Sequence, residues 1–416
     1  MLNSIQKTYQ EFPRNFWMLT AALFIDRLGE SLVFPFLALY LTQKFHVGMT
    51  EVGGMFAVHI SATFIGSMVG GALTDRFGRK FMIIFGLLVS AFTALSMGLI
   101  NDWRIFYYLA FLTGLFANIG NPAVQAMMAD ILPEYQRAQG YGIQRVAINL
   151  SVSIGPMVGG ILAGINYLIL FVIDCIISSI TALIVFLTIS ETKPERKIDE
   201  PEESLTGTIR GYVIVFKDKI FITFLVFGLL TVLVYIQMTT TLSVFLRDIH
   251  GIPPQGYGYI LSLNAIMVVI FQFWVTRKIS NFQPLMLLFV SNLIYAVGFG
   301  MYGFVNTFPL FLLAMVIITI AEMINSPITQ SMVAHFAPEN MRGRYMAVFG
   351  LSWGIPSAIG PLAAGLIMDN YNPNWVWYLG GIICILAGLG YWGLHQRIGS
   401  RFKTLNAASQ PPDVNQ

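Results

Sequence analysis

The sequence predicts an all-α integral membrane protein of twelve transmembrane helices, arranged as two pseudo-symmetric six-helix bundles. Composition, long apolar runs and an internal duplication carry this expectation. Of 416 residues, 56% are hydrophobic and 11% charged, and the mean hydropathy is +0.69. Soluble domains carry about 25% charged residues. Runs such as FMIIFGLLVSAFTALSMGLI (81–100) have no period-two alternation, which excludes the strands of a membrane β-barrel. At a shift of 205 residues, PAVQAMMADILPEYQR (122–137) lies over PITQSMVAHFAPENMR (327–342), matching Pro122 with Pro327, Gln125 with Gln330, Pro133 with Pro338, Glu134 with Glu339 and Arg137 with Arg342. The register continues without a gap, so that IGPMVGGI (154–161) falls on IGPLAAGL (359–366).

A span needs roughly 20 apolar residues. Turn signals place twelve of them, near 15–41, 51–74, 80–100, 104–130, 138–163, 167–188, 219–247, 255–277, 283–305, 308–335, 343–369 and 374–396. The start, MLNSIQKTYQEFPRN, is polar and has no small-residue cleavage site, so no signal peptide is expected. The long polar segment SETKPERKIDEPEESLTGTIRGYVIVFKDK (190–219) is charged and proline-containing in its first half, as a flexible linker would be. Its second half is more apolar and suits a helix lying on the membrane surface. The expected domains are therefore an N-terminal bundle over 1–189, a cytoplasmic linker over 190–218, a C-terminal bundle over 219–398 and a disordered cytoplasmic tail over 399–416. Cys175 and Cys384 both fall within spans and read as small hydrophobes, so neither a disulfide nor a metal site is expected.

With the amino terminus inside, nineteen of the 24 Lys and Arg residues fall in cytoplasmic segments, and the outer loops hold Lys44, Arg104 and Arg247. The positive-inside rule then puts both termini in the cytoplasm. Basic clusters such as Arg76–Lys80 are explained by orientation and anionic lipid, so membrane lipid is an expected partner and nucleic acid is not. Paired repeats joined by a cytoplasmic linker are typical of transporters with a midplane site.

GGALTDRFGRK (70–80), between the second and third spans, resembles the cytoplasmic loop signature of the major facilitator superfamily at Gly71, Leu73, Asp75, Arg76, Gly78, Arg79 and Lys80. The corresponding second-half loop, VTRKISNFQP (275–284), keeps basic residues but no aspartate. LSVSIGPMVGG (150–160) resembles the fifth-span motif of drug:proton antiporters at Gly155, Pro156, Gly159 and Gly160, with Ser151 in place of the usual first glycine. LGESLVFP (28–35) is similar to the first-span pattern of twelve-span members of that branch. The fourth-span arginine of the pattern is absent, its position being Ala110. The resemblance implies the major facilitator fold, a monomer in a bacterial cytoplasmic membrane, and a cytoplasmic gate in which Asp75 pairs with arginines such as Arg79 or Arg137. The fifth-span glycines serve close helix packing or antiport equally well.

The stretch FIDRLGESLVFP (24–35) puts three charges inside an apolar span. On a helix, Asp26 and Glu30 are about 40° apart and Arg27 about 60° from Glu30, so the three share one face. They lie roughly 15 Å deep, near the midplane of the hydrocarbon, and must face protein or a watery cavity. One arginine does not neutralise two carboxylates, and Arg145, in the fifth span, is a candidate second partner. The cluster is thus either a proton carrier or a static network. Glu322, in ITIAEMINSPITQ (318–330), has no Lys or Arg on its span and Ala117 as its repeat mate, which favours function over scaffold. Asp174, in FVIDCI, ranks lower because the sixth span is peripheral in the fold the resemblance implies. His59 lies about 10 Å into the second span. Phe34, His59, Asn118, Asn121, Tyr235, Gln237, Asn325 and Trp353 are the candidate cavity lining.

No Walker loop, nucleophile elbow or HExxH pattern is present, so the chain reads as no enzyme and needs no cofactor. The leading expectation is a proton-coupled exporter of small amphipathic or drug-like molecules, with Asp26, Glu30 and Glu322 as proton-coupling candidates. The alternatives are a carrier or flippase for one defined lipid, sugar or metabolite, and a non-transporting membrane sensor.

Overall fold

The structure is a computed structural model that describes residues 9–193, 205–338 and 341–399. The charged half of the linker, the tail beyond residue 399 and Glu339 of the repeat lie outside the described residues. Among the described residues every regular element is helical, and ten helices are long and apolar enough to cross a membrane. In the first half the elements are α1 (Arg14–Val33), α2 (Leu37–Phe45), α3 (Met49–Phe77), α4 (Arg79–Leu99), α5 (Trp103–Ala117), α6 (Asn121–Ile131), α7 (Glu134–Ile165) and α8 (Tyr167–Thr188). Helix α9 (Leu205–Lys217) covers the second half of the linker. Then follow α10 (Lys219–Tyr235), α11 (Gln237–Thr240), α12 (Leu242–His250), α13 (Pro254–Ile279), α14 (Pro284–Tyr302), α15 (Phe308–Phe336), α16 (Arg342–Asn370) and α17 (Trp375–Ile398).

Three of the expected continuous spans are broken. The run 15–41 divides at a 3-10 turn, Phe34–Phe36, where Pro35 has no N–H to continue the ladder. The run 104–130 divides at Asn118–Gly120, just before Pro122. The run 219–247 divides at Ile236 and Thr241, where the Thr240 hydroxyl donates to Ile236 O (3.0 Å) and that of Thr241 to Gln237 Oε1 (2.6 Å). Such side-chain bonds compete with the helical ladder. Irregular backbone at membrane depth is tolerated where it faces protein or a cavity.

The chain divides into two compact units, Met1–Ile198 with Leu246–Ser262, and Asp199–Phe245 with Leu263–Gln416. In the first, α1 packs on α7 and α8, α4 on α8, and α3 on α5. Its core includes Phe16, Leu19, Met127, Met128 and Val185. Leu246–Ser262 is held there by Arg247, whose guanidinium donates to Leu39 O (3.1 Å) and Thr42 Oγ1 (3.0 Å). In the second unit α14 packs on α15 and α17, and α10 on α16 and α17, around Phe221, Phe224, Leu288, Met332 and Tyr391.

The fifth-span glycines let α7 lie flush on α1. A Cβ at Gly159 would meet Leu32 O at 2.6 Å and the Phe36 ring at 2.8 Å, and Gly155 has no room beside Ser31. The contact is stitched by Ser151 Oγ donating to Phe24 O (2.8 Å) and Ser31 Oγ to Ser151 O (3.0 Å). Pro156 is buried inside α7 without breaking it. Packing on this side turns the charged face of α1 toward the cavity described next.

Candidate functional site

The first unit contains an open cavity of about 170 Å³. Helix α1 contributes Asp26, Arg27 and Glu30, the first break contributes Phe34, the second break Asn118 and Asn121, α3 His59, and α8 Asp174 and Thr181. Most of the remaining wall is apolar. Arg27 forms an ion pair with Glu30 and donates to Asn121 Oδ1 at 3.3 Å, and Asn121 Nδ2 donates to Asn118 Oδ1 at 2.8 Å. The arginine therefore ties α1 to the break in the fourth span. Asp26 Oδ1 accepts from the Ser178 hydroxyl at 3.3 Å. His59 Nδ1 lies 3.0 Å from Ala110 O, which makes Nδ1 the protonated nitrogen and leaves Nε2 as the acceptor. Arg145 is exposed on α7 and is not part of the cavity wall.

The second unit has its own cavity of about 190 Å³, lined by Tyr235, Tyr295, Glu322, Asn325, Thr329 and Trp353 among others. Glu322 accepts hydrogen bonds from Tyr235 O–H (3.0 Å) and Asn264 Nδ2 (2.7 Å). Asn264 also donates to Thr319 Oγ1 at 3.0 Å. Asn325 Nδ2 donates to Ser291 Oγ (3.0 Å), and Trp353 stands edge-on to Tyr235. Gln237 is buried away from this wall: its Nε2 donates to Leu233 O at 2.9 Å, and its Oε1 takes the Thr241 hydroxyl. Sequence reasoning passed over Asn264, which carries one of the two hydrogen bonds to Glu322. Its signal was only a lone asparagine in LSLNAIM.

The loop signature is a knot of charge around Arg79, which is 9% exposed. Its Nε donates to Asp130 Oδ2 at 3.1 Å and its Nη1 lies 3.8 Å from Asp75. Arg137 instead donates to the carbonyls of Ala129 (3.2 Å) and Leu132 (3.3 Å). The first turn of α4 is capped by Glu191, whose carboxylate accepts from the backbone N–H groups of Arg79 (3.0 Å) and Lys80 (3.1 Å). A carboxylate there satisfies orphan donors and complements the helix dipole. Lys80 Nζ donates to Phe186 O (2.7 Å), and Lys193 Nζ to Arg76 O (2.9 Å). Gly78 has φ +98°, and the Glu191 carboxylate occupies the place of its missing Cβ. Gly78→Ala should therefore cost about 1–3 kcal/mol, seen as a lower thermal midpoint of the purified protein. An unchanged midpoint would mean that the turn relaxes freely. Around Gly71, by contrast, a Cβ meets nothing within 4 Å, and Arg76 is exposed.

An all-helical membrane fold, with charged residues walling a cavity in each half of a duplicated chain, defines a solute carrier. The chain belongs to the Major Facilitator Superfamily, whose family model matches residues 19–289 and 229–410. It is 28% identical over 396 residues to a Na(+), Li(+), K(+)/H(+) antiporter of Planococcus maritimus, covering 88% of this chain and 92% of the relative. It is 23% identical to the multidrug resistance protein MdtH of Shigella flexneri, covering 91% of this chain and 89% of that one. Among solved structures, a POT family transporter in complex with 5-aminolevulinic acid superposes with a TM-score of 0.75 at 16% identity, over 93% of this chain and 97% of that one. The nucleoside transporter NupG gives 0.75 at 15% identity, over 92% and 100%. These two show the shared fold. The protein is a secondary transporter of small molecules and not an enzyme.

Proposed function

We propose that the protein is a proton-coupled exporter of small amphipathic, drug-like compounds, working by alternating access in a bacterial cytoplasmic membrane with both termini inside. The observation that carries this reading is Glu322. Its carboxylate stands at a cavity wall and is held by two neutral donors, Tyr235 and Asn264. A carboxylate held this way takes up and releases a proton without breaking an ion pair, which a coupling group must do in every cycle. The largely apolar first cavity, with its own acids, supports a cargo that is apolar with a cationic end. Asp75, Arg79 and Asp130 then form the cytoplasmic gate.

A second reading, exchange of an alkali cation for protons, is favoured by the name of the Planococcus maritimus relative and by the carboxylate, amide and hydroxyl side chains of Glu322, Asn325, Ser326 and Thr329 on the wall of the second cavity. Purified protein in proteoliposomes separates the two. Under the first reading, an imposed pH gradient drives flux of a lipophilic cationic dye. Dye flux indifferent to the gradient would remove proton coupling. Sodium- or potassium-dependent collapse of the gradient without dye flux would favour the second reading.

A further inference from the structure

We infer that Asp174 makes the cavity of the first unit a binding site for a small organic ammonium ion with an apolar body. Asp174 belongs to α8, which packs along α1 and α4. It lines the cavity, and its carboxylate packs against Gly29 of α1, where a Cβ would collide with Oδ1. Asp174 is 8% exposed and makes no hydrogen bond or ion pair with any described residue. Thr181 lies two helical turns further along the same face of α8. It is 1% exposed, its hydroxyl also has no hydrogen-bond partner, and both residues line the cavity. Two unpartnered buried polar groups on one wall are costly unless something fills the space between them.

The charge balance says what that occupant is. Asp26, Glu30 and Asp174 face the cavity with Arg27 as the cation on the wall, and Arg27 is already engaged by Glu30 and Asn121. His59, the remaining titratable group on the wall, donates to Ala110 O. A positively charged occupant would balance the carboxylates that Arg27 leaves uncompensated. The rest of the wall includes Leu23, Phe34, Phe56, Leu87 and Phe171, which suits an apolar body and offers ring faces to a cationic head. The inference deepens the export reading and rests on it for the ion's role as cargo, while binding itself is independent of transport.

The test is calorimetric binding of phenyltrimethylammonium to the purified full-length protein, compared with its uncharged isostere tert-butylbenzene. The wild type should prefer the ammonium by at least about tenfold, and Asp174→Asn should lose about that factor while binding the neutral isostere unchanged. Equal affinity of the wild type and Asp174→Asn for the ammonium would overturn the proposal. Should Asp174→Asn not yield folded protein, the wild type decides alone: no preference for the charged isostere also overturns it. If binding behaves as expected but dye flux ignores the pH gradient, the export reading falls and the site stands. If the ammonium binds equally to both proteins while flux remains gradient-driven, the reverse holds.

Discussion

Replacing Glu322 with glutamine is expected to abolish pH-driven transport while leaving the protein folded. Glutamine keeps the length and the carbonyl oxygen, so the Tyr235 hydroxyl still has an acceptor. The second carboxylate oxygen, 2.7 Å from Asn264 Nδ2, becomes an amide group or forces the side chain to flip. That mismatch of one hydrogen bond costs about 1 kcal/mol. The thermal midpoint should therefore move little, whereas the side chain no longer carries a proton at any working pH. Flux driven by an imposed pH gradient in proteoliposomes should fall by at least about tenfold, which corresponds to about 1.4 kcal/mol of lost coupling. Dye exchange without a gradient should continue. Wild-type gradient-driven flux in Glu322→Gln would remove this residue from the coupling step and leave the acids of the first unit to carry it.

What could be read in the chain and what could not divide along a physical line. The membrane class, the duplication, the loop signature and the charged face of α1 are local patterns, visible as runs, repeats and helical spacing. Breaks in the helices are less legible. Pro35 and Pro122 interrupt their spans, yet Pro156, Pro327, Pro356 and Pro361 all sit inside continuous helices. One difference lies beside the proline: Asn118, Gly120 and Asn121 adjoin Pro122, and the two asparagines bond each other across the break. The partners of the buried acids were invisible for another reason. Glu322 meets Asn264 from 58 residues away, and Asp174, on the wall of the first cavity, packs its carboxylate against Gly29 of a different helix, where a side chain would collide with it. A ranking of Asp174 by the usual place of a sixth span missed this, since the deciding residue is across the helix interface.

The second large effect is expected at Arg27, where it bears on whether the charges of α1 are a static network or part of the cycle. Arg27 holds Glu30 and Asn121 and faces Asp26 on its own helix. Arg27→Gln removes the cation from a wall that then carries three carboxylates, and it frees the break before Pro122 from α1. Glu30 is more than half exposed, so screening limits the lost pair to about 1 kcal/mol; the rest of the cost falls on Asp26, which loses the cation beside it. The thermal midpoint should drop by several degrees and gradient-driven flux by at least about tenfold. Adding Glu30→Gln removes one of the three carboxylates and should recover the part of the midpoint that the lost pair accounts for, because the paired residues are coupled rather than additive. Transport should stay impaired in the double variant if Arg27 positions the break and the acids for turnover. Recovery of flux together with stability would instead make the pair a structural strut, and leave proton movement to Glu322.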